Sequence, residues 1–224
     1  MSNRMQELIE RGLLVLGEGV VIEDFVVLCQ QEETNEGPGY PVVIGSNTRI
    51  RSGAVLYEGV HIGSDCRIGH GAILRSHATV GNHVVLSHHV IVEHDSKLGD
   101  WVRCSPHTHI TSNVVLEDRV FLGAGVVTVN DKFLTWKRND IQPSLKPPYF
   151  EFGARVGSGS TILSGVRVGR LAIVGAGSLV THDVPPYKMA FGNPARIRGD
   201  VPELQRTPNG PDKENQIAEV RNEN

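Results

Sequence analysis

The 224-residue chain has few of the side chains that usually fill a globular core: aromatics make up only 5% of it, against 25 glycines. Ordinary interiors rely on aromatic and long aliphatic bulk, so a conventional layered domain is excluded unless something repetitive fills the space. Cysteine is equally sparse. Cys29, Cys66 and Cys104 are odd in number and lack paired spacing, which excludes a zinc ribbon or disulfide framework and leaves reduced thiols. No apolar run approaches a membrane span, and residues 13–16 lack a cleavage-type flank. A cytoplasmic location without membrane association is the expectation. A surplus of one charge is missing too: 22 basic against 25 acidic residues give a net charge of -3, which argues against a general grip on nucleic acid.

What the sequence does have is a strict period. An aliphatic residue recurs every six positions at Ile44, Ile50, Leu56, Ile62, Ile68, Leu74, Val80, Leu86, Val92 and Leu98, and the frame continues through Cys104, Ile110, Leu116 and Leu122. Four residues after each stands a small or β-branched residue, from Thr48 and Ala54 to Val120 and Val126. A period of six fits neither a helix face nor a lone amphipathic strand, but it fits a short strand followed by a bend. Gly63, Gly69, Gly81, Gly99, Gly123, Gly157, Gly169 and Gly175 follow the aliphatic directly, where a missing Cβ eases a tight turn or a close backbone approach. Three such units predict an 18-residue triangular coil, with coils stacked about 4.7–4.9 Å apart as parallel sheet. Residues 18 apart then stack, so His70 is expected over His88 and His89 over His107.

The frame breaks twice. Leu16, Ile22 and Leu28 form an earlier block that ends in an excursion over about residues 30–40, and a second insertion covers about 128–149 before the pattern resumes at Phe150 in a new phase. Residues 1–13 read as a short helical N-terminal cap, 14–199 as the β-helix, and 200–224 as a polar tail, helical near 212–221 or disordered.

The hexads of aliphatic, glycine, two variable residues and a small residue resemble the hexapeptide-repeat acyltransferases, which implies an all-β, left-handed parallel β-helix. The hand comes from the resemblance alone, because the usual crossover rule favours the opposite one. The stretch Gly175-Ala176-Gly177-Ser178-Leu179-Val180, closing with Gly192-Asn193-Pro194-Ala195-Arg196, resembles the last coil and closing loop of acetyl-coenzyme A-dependent members. Val92-Glu93-His94-Asp95 through Leu98-Gly99-Asp100 resembles the active-site coil of bacterial sugar N-acetyltransferases acting on nucleotide-linked amino sugars, and Asn130-Asp131-Lys132-Phe133 resembles a loop of related enzymes. The resemblance implies acetyl transfer from acetyl-CoA to a nucleotide-linked amino sugar for surface polysaccharide (lipopolysaccharide) synthesis, by a homotrimer with its site between prisms.

Attack on a thioester needs a neutral amine, and an imidazole is suited to removing a proton at neutral pH. His94, at a bend, is the candidate base, with Asp95 or Glu93 to orient the ring and Asp95 preferred through the resemblance. Asn130 and Asp131 are candidates for contacting the sugar, against a simple loop-opening turn. Gly157, Ser158, Ala176 and Gly177 suit a narrow pantetheine groove, while Arg170, Lys188, Arg196 and Arg198 offer partners for phosphates or else form an ordinary solvated surface. No metal is expected. His89 and His94 resemble two ligands of γ-class carbonic anhydrases, but the third position falls near Gly53 and His61 is displaced. The same hexads also fit O-acetylation of a hydroxyl, or a scaffold without catalysis, because the repeat fixes architecture more tightly than chemistry.

Overall fold

A computed structural model describes residues 3–33, 37, 39–133, 135, 138 and 140–206. It contains three sheets, parallel through residue 180, and consecutive strands up to Leu179–Val180 go to consecutive sheets. The first runs from Leu14–Leu16 through Val42–Ile44 and His61–Ile62 to Arg167–Val168; the second starts at Val21–Ile22 and the third at Val27–Gln30. Register is 18 residues per coil wherever the frame is unbroken, as in Val80 opposite Leu98 and Val92 opposite Ile110. This is the three-sided parallel β-helix the hexads predict, and it is consistent with left-handed winding.

The periodic aliphatics fill the lumen. Ile50, Leu56, Ile68, Leu74 and Ile110 are each 0% exposed, as are the small residues Ala54, Ala72 and Ala78 that share the interior. Two-residue strands suffice because each carries one inward side chain and is hydrogen-bonded to the coils above and below. The second insertion leaves the register intact: Leu116 before it lies opposite Phe150 after it. An α-helix over Asn3–Glu10 caps the N-terminal end, with Leu8 packed into the core. At the other end Lys188–Gly192 joins the second sheet and pairs antiparallel with Ala195–Asp200, so the stretch read as a closing loop is a hairpin. Of the tail, residues 203–205 form one 3₁₀ turn, and residues 207–224, including the helical reading near 212–221, lie outside the described residues.

The glycines serve close approach. At Gly157 an added Cβ would lie 2.4 Å from the backbone N of Ala176 on the next coil, and the other glycines of that set are equally closed, at 2.3–2.6 Å. The left-handed backbone sits two places further on, at residues such as His83, Asp95, Trp101 and His107, whose φ values are 57–62°. The turn itself is therefore made without glycine at many coils. These glycines are also confined to two of the three edges. Beyond the third sheet the same position holds Tyr57, Arg75, Glu93, Thr111, Val129, Leu163 and Thr181. The third edge has room for side chains.

Candidate functional site

His94 lies on this third edge, two residues beyond the inward-facing Val92. The stacking of the third sheet places Ser76 directly below it, with Ser112, Asn130, Ser164 and His182 in turn above it. Both insertions also leave from this edge, after Val27–Gln30 and after Val127–Thr128. His94 and Asn130, far apart in sequence, are thus two coils apart on one ladder, roughly 10 Å along the axis.

The local bonds separate the two carboxylates beside the imidazole. Asp95 Oδ2 is 2.8 Å from His94 Nδ1, with both side chains about half exposed, so Nδ1–H donates to the carboxylate and Nε2 is left as the basic atom. Glu93 faces elsewhere. It accepts from Arg75 Nη1 at 2.9 Å and lies 3.4 Å from His109 Nε2. Arg75 is held from its other side by Glu32 of the first insertion, at 2.6 and 3.2 Å. The His109 hydrogen bond, and then Arg75, hold the Glu93 carboxyl below its usual range; Arg75 does the same for Glu32.

These two depressed carboxyls have a consequence for acid stability. Their contribution is complete above the ordinary carboxylate range of about pH 4 and is lost as pH falls through their lowered folded values. Arg75→Gln is expected to lower the melting temperature by a constant amount from pH 7 down to about pH 5 and by progressively less below about pH 4, followed by thermal denaturation. A pH-independent difference would show that the ion pairs contribute nothing.

Asn130 turns its amide donor to Ser112, at 2.7 Å to Oγ and 3.3 Å to the carbonyl oxygen. Its own carbonyl accepts Lys146 N–H at 2.7 Å and the Ser164 hydroxyl at 3.2 Å, while Asp131 Oδ1 accepts Phe133 N–H at 3.0 Å. Both residues therefore root the second insertion. The choice of donor has a side effect. On the first edge, the amides of Ser64, Asn82 and Asp100 donate to side-chain oxygens of the coil above, and on the second Ala124 does so to Ser158. The amides of His94 and Ser112 have no such acceptor among the described residues.

The remaining predicted residues divide among other places. Ser158, Ala176 and Gly177 lie on the second edge, where Gly177 opens onto empty space, whereas Gly157 is enclosed between coils. Arg170 is on the first edge, over the Phe152 ring at 4.6 Å. Lys188, paired with Asp200 at 2.6 Å, and Arg196 and Arg198 belong to the terminal hairpin. Upper third-edge residues line a cleft of about 490 Å³ formed by Ser164, Gly165, His182 and Asp183. A second cleft of about 260 Å³ shares His182 and Asp183 and adds Arg196. Ser112, Ser164 and His182 were not singled out from the sequence, although tracing every third hexad would have aligned them with His94. The predicted histidine ladders are present, His70 over His88 and His89 over His107, each with ring centroids 5.3 Å apart. Among the described residues no three His, Cys, Asp or Glu side chains converge as a metal-binding group.

A family model described as the hexapeptide repeat of succinyl-transferase matches residues 151–182, where the frame resumes after the second insertion. This stretch of the chain is similar to the hexapeptide-repeat family. A second model, the GMPPB C-terminal domain, matches residues 39–140. The dTDP-3-amino-3,6-dideoxy-alpha-D-galactopyranose 3-N-acetyltransferase of Aneurinibacillus thermoaerophilus is 55% identical over 49 residues, 22% of this chain and 26% of that relative. The match thus spans about a quarter of the relative's length. Among solved structures, the UDP-N-acetylglucosamine acyltransferase of Bacteroides fragilis 9343 superposes with a TM-score of 0.58 at 17% identity, over 93% of this chain and 79% of that one. The corresponding enzyme of Francisella novicida gives 0.54 at 20% identity, over 93% and 77%. These two share the fold of this hexapeptide-repeat chain.

Proposed function

We propose that the chain transfers an acetyl group from acetyl-coenzyme A to the amine of a nucleotide-linked amino sugar, a product suited to surface glycan synthesis in the cytoplasm. The observation that carries this reading is the His94–Asp95 pair, 2.8 Å apart on the edge where both insertions meet backbone amides that have no acceptor among the described residues. The N-acetyltransferase similarity supports the substrate class.

Acetyl-coenzyme A supplies an activated acyl carbon. His94 Nε2 takes the proton from the sugar amine as it attacks that carbon, and Asp95 stabilises the imidazolium through Nδ1–H. The Ser112 N–H donates to the oxygen on which negative charge develops. His94 then returns its proton to the departing thiolate. Ser164, His182 and Arg196 line the upper clefts and offer the donor a path along the third edge. The small-residue strip of Ser158, Ala176 and Gly177 lies at similar height but on a different edge, so one chain does not bring the two together. A neighbouring copy would, and a homotrimer is the assembly proposed.

Coenzyme A release, measured with a thiol reagent across nucleotide-linked amino sugars and hydroxyl acceptors, tests the reading. Turnover confined to amino sugars is expected. Preference for hydroxyl acceptors, or no turnover together with no coenzyme A binding in calorimetry, would overturn it.

A further inference from the structure

The first insertion leaves the third sheet after Gln30 and returns at Val42, and its described residues pack on the coil directly beneath His94. Glu32 grips that coil twice, through Arg75 and through the Ser76 hydroxyl at 2.9 Å. Ser76 is one hydrogen bond from the candidate base pair, because its carbonyl accepts the Asp95 amide at 3.1 Å. Glu58 accepts the amides of both Glu32 and Tyr40, which ties down the two arms of the loop. The Tyr40 ring then stands edge-on to His77, with centroids 4.8 Å apart, while 55% of the residue is exposed. Tyr40, tied down at its amide, thus presents an aromatic face to solvent beside the coil below His94.

Direction along the ladder decides what that face is for. The clefts lined by Ser164, His182 and Arg196 lie above His94 and suit the acyl donor. An acceptor whose amine reaches His94 must extend the other way, over Ser76 and His77. Arg75 is already neutralised by Glu32 and Glu93, so it acts as a clamp for the loop and not as a partner for phosphate.

We propose that Tyr40, at the described end of the first insertion, is a stacking surface for the nucleotide end of the acceptor, with Glu32 as the anchor that positions it. The inference rests on the acetyl-transfer reading above for the direction of the acceptor. Stacking of a base on an aromatic ring is sequence-tolerant and strong enough to register in affinity.

The probe is dTDP, titrated calorimetrically into the full-length chain, with coenzyme A titrated separately. Tyr40→Ala is expected to weaken dTDP binding at least about fivefold and to leave coenzyme A binding unchanged, with Tyr40→Phe restoring the wild-type value. Glu32→Gln is expected to raise KM for the acceptor and leave KM for acetyl-coenzyme A alone. A wild-type chain that does not bind dTDP, a Tyr40→Ala chain that binds it normally, or equal losses for both ligands would each overturn the proposal. Acetyl transfer without any dependence on Tyr40 would sink the stacking surface alone; Tyr40-dependent dTDP binding without acetyl transfer would sink only the catalytic reading.

Discussion

His94→Ala is expected to lower turnover at least tenfold to a hundredfold at neutral pH, the lower range for loss of a general base. The geometry explains why the effect should fall on turnover. Asp95 fixes the ring through Nδ1, so Nε2 is the atom presented to the acceptor, and the stacked positions above it hold Ser112, Asn130 and Ser164 before His182, several coils away. Asp95→Asn should also lower turnover, because an amide no longer stabilises the imidazolium as a charge and can donate to Nδ1, which favours the tautomer with the proton on Nε2. The measurement is coenzyme A release at saturating acetyl donor over a range of pH. Unchanged turnover in His94→Ala would mean that the amine arrives already neutral and that the histidine is a bystander.

Phe150→Ala is expected to destabilise the fold by about 3–5 kcal/mol, a large share of the stability of an ordinary domain. Phe150 is 0% exposed and lies in the lumen between Leu116 and Val168 of the adjacent coils. A layered core can partly collapse around a deletion, but here the sheet hydrogen bonds hold the coil spacing and the walls cannot close in. Phe121→Ala provides the control: that ring projects outward and is 36% exposed, so its loss should cost far less. Denaturant midpoints of the two variants would decide the matter, and equal shifts would contradict the assigned lumen.

The lumen was legible because the hexad frame is nearly error-free: one inward aliphatic per strand leaves a periodic record. The same arithmetic gave the stacked histidine pairs and located both insertions. The turn was less legible. Glycine after Val80 and Leu98 marks where coils touch, whereas the left-handed backbone occurs at positions as varied as His83, Asp95 and Trp101, which share no single turn residue. The site was legible in part. Adjacency gave His94 beside Asp95, but Glu93 also stands next to His94 in sequence, and only the fold shows it turned to Arg75 and His109. Its network includes Glu32, 43 residues from Arg75 and carried there by an insertion with no period to read. The upper ladder of Ser112, Ser164 and His182 was hidden for a different reason, since reading hexads singly loses the threefold alternation that assigns each to an edge.

Apart from the insertions, each interior coil pairs with its two neighbours, so the molecule approximates a one-dimensional stack in which unravelling begins at a terminus and advances step by step. The Asn3–Glu10 helix and the terminal hairpin stand at the two places where such fraying would start. His94, midway between them, occupies the segment that opens last, and amide exchange should slow from both ends towards it. Chemistry placed there is insulated from the wear of the termini, which leaves the ends free to vary.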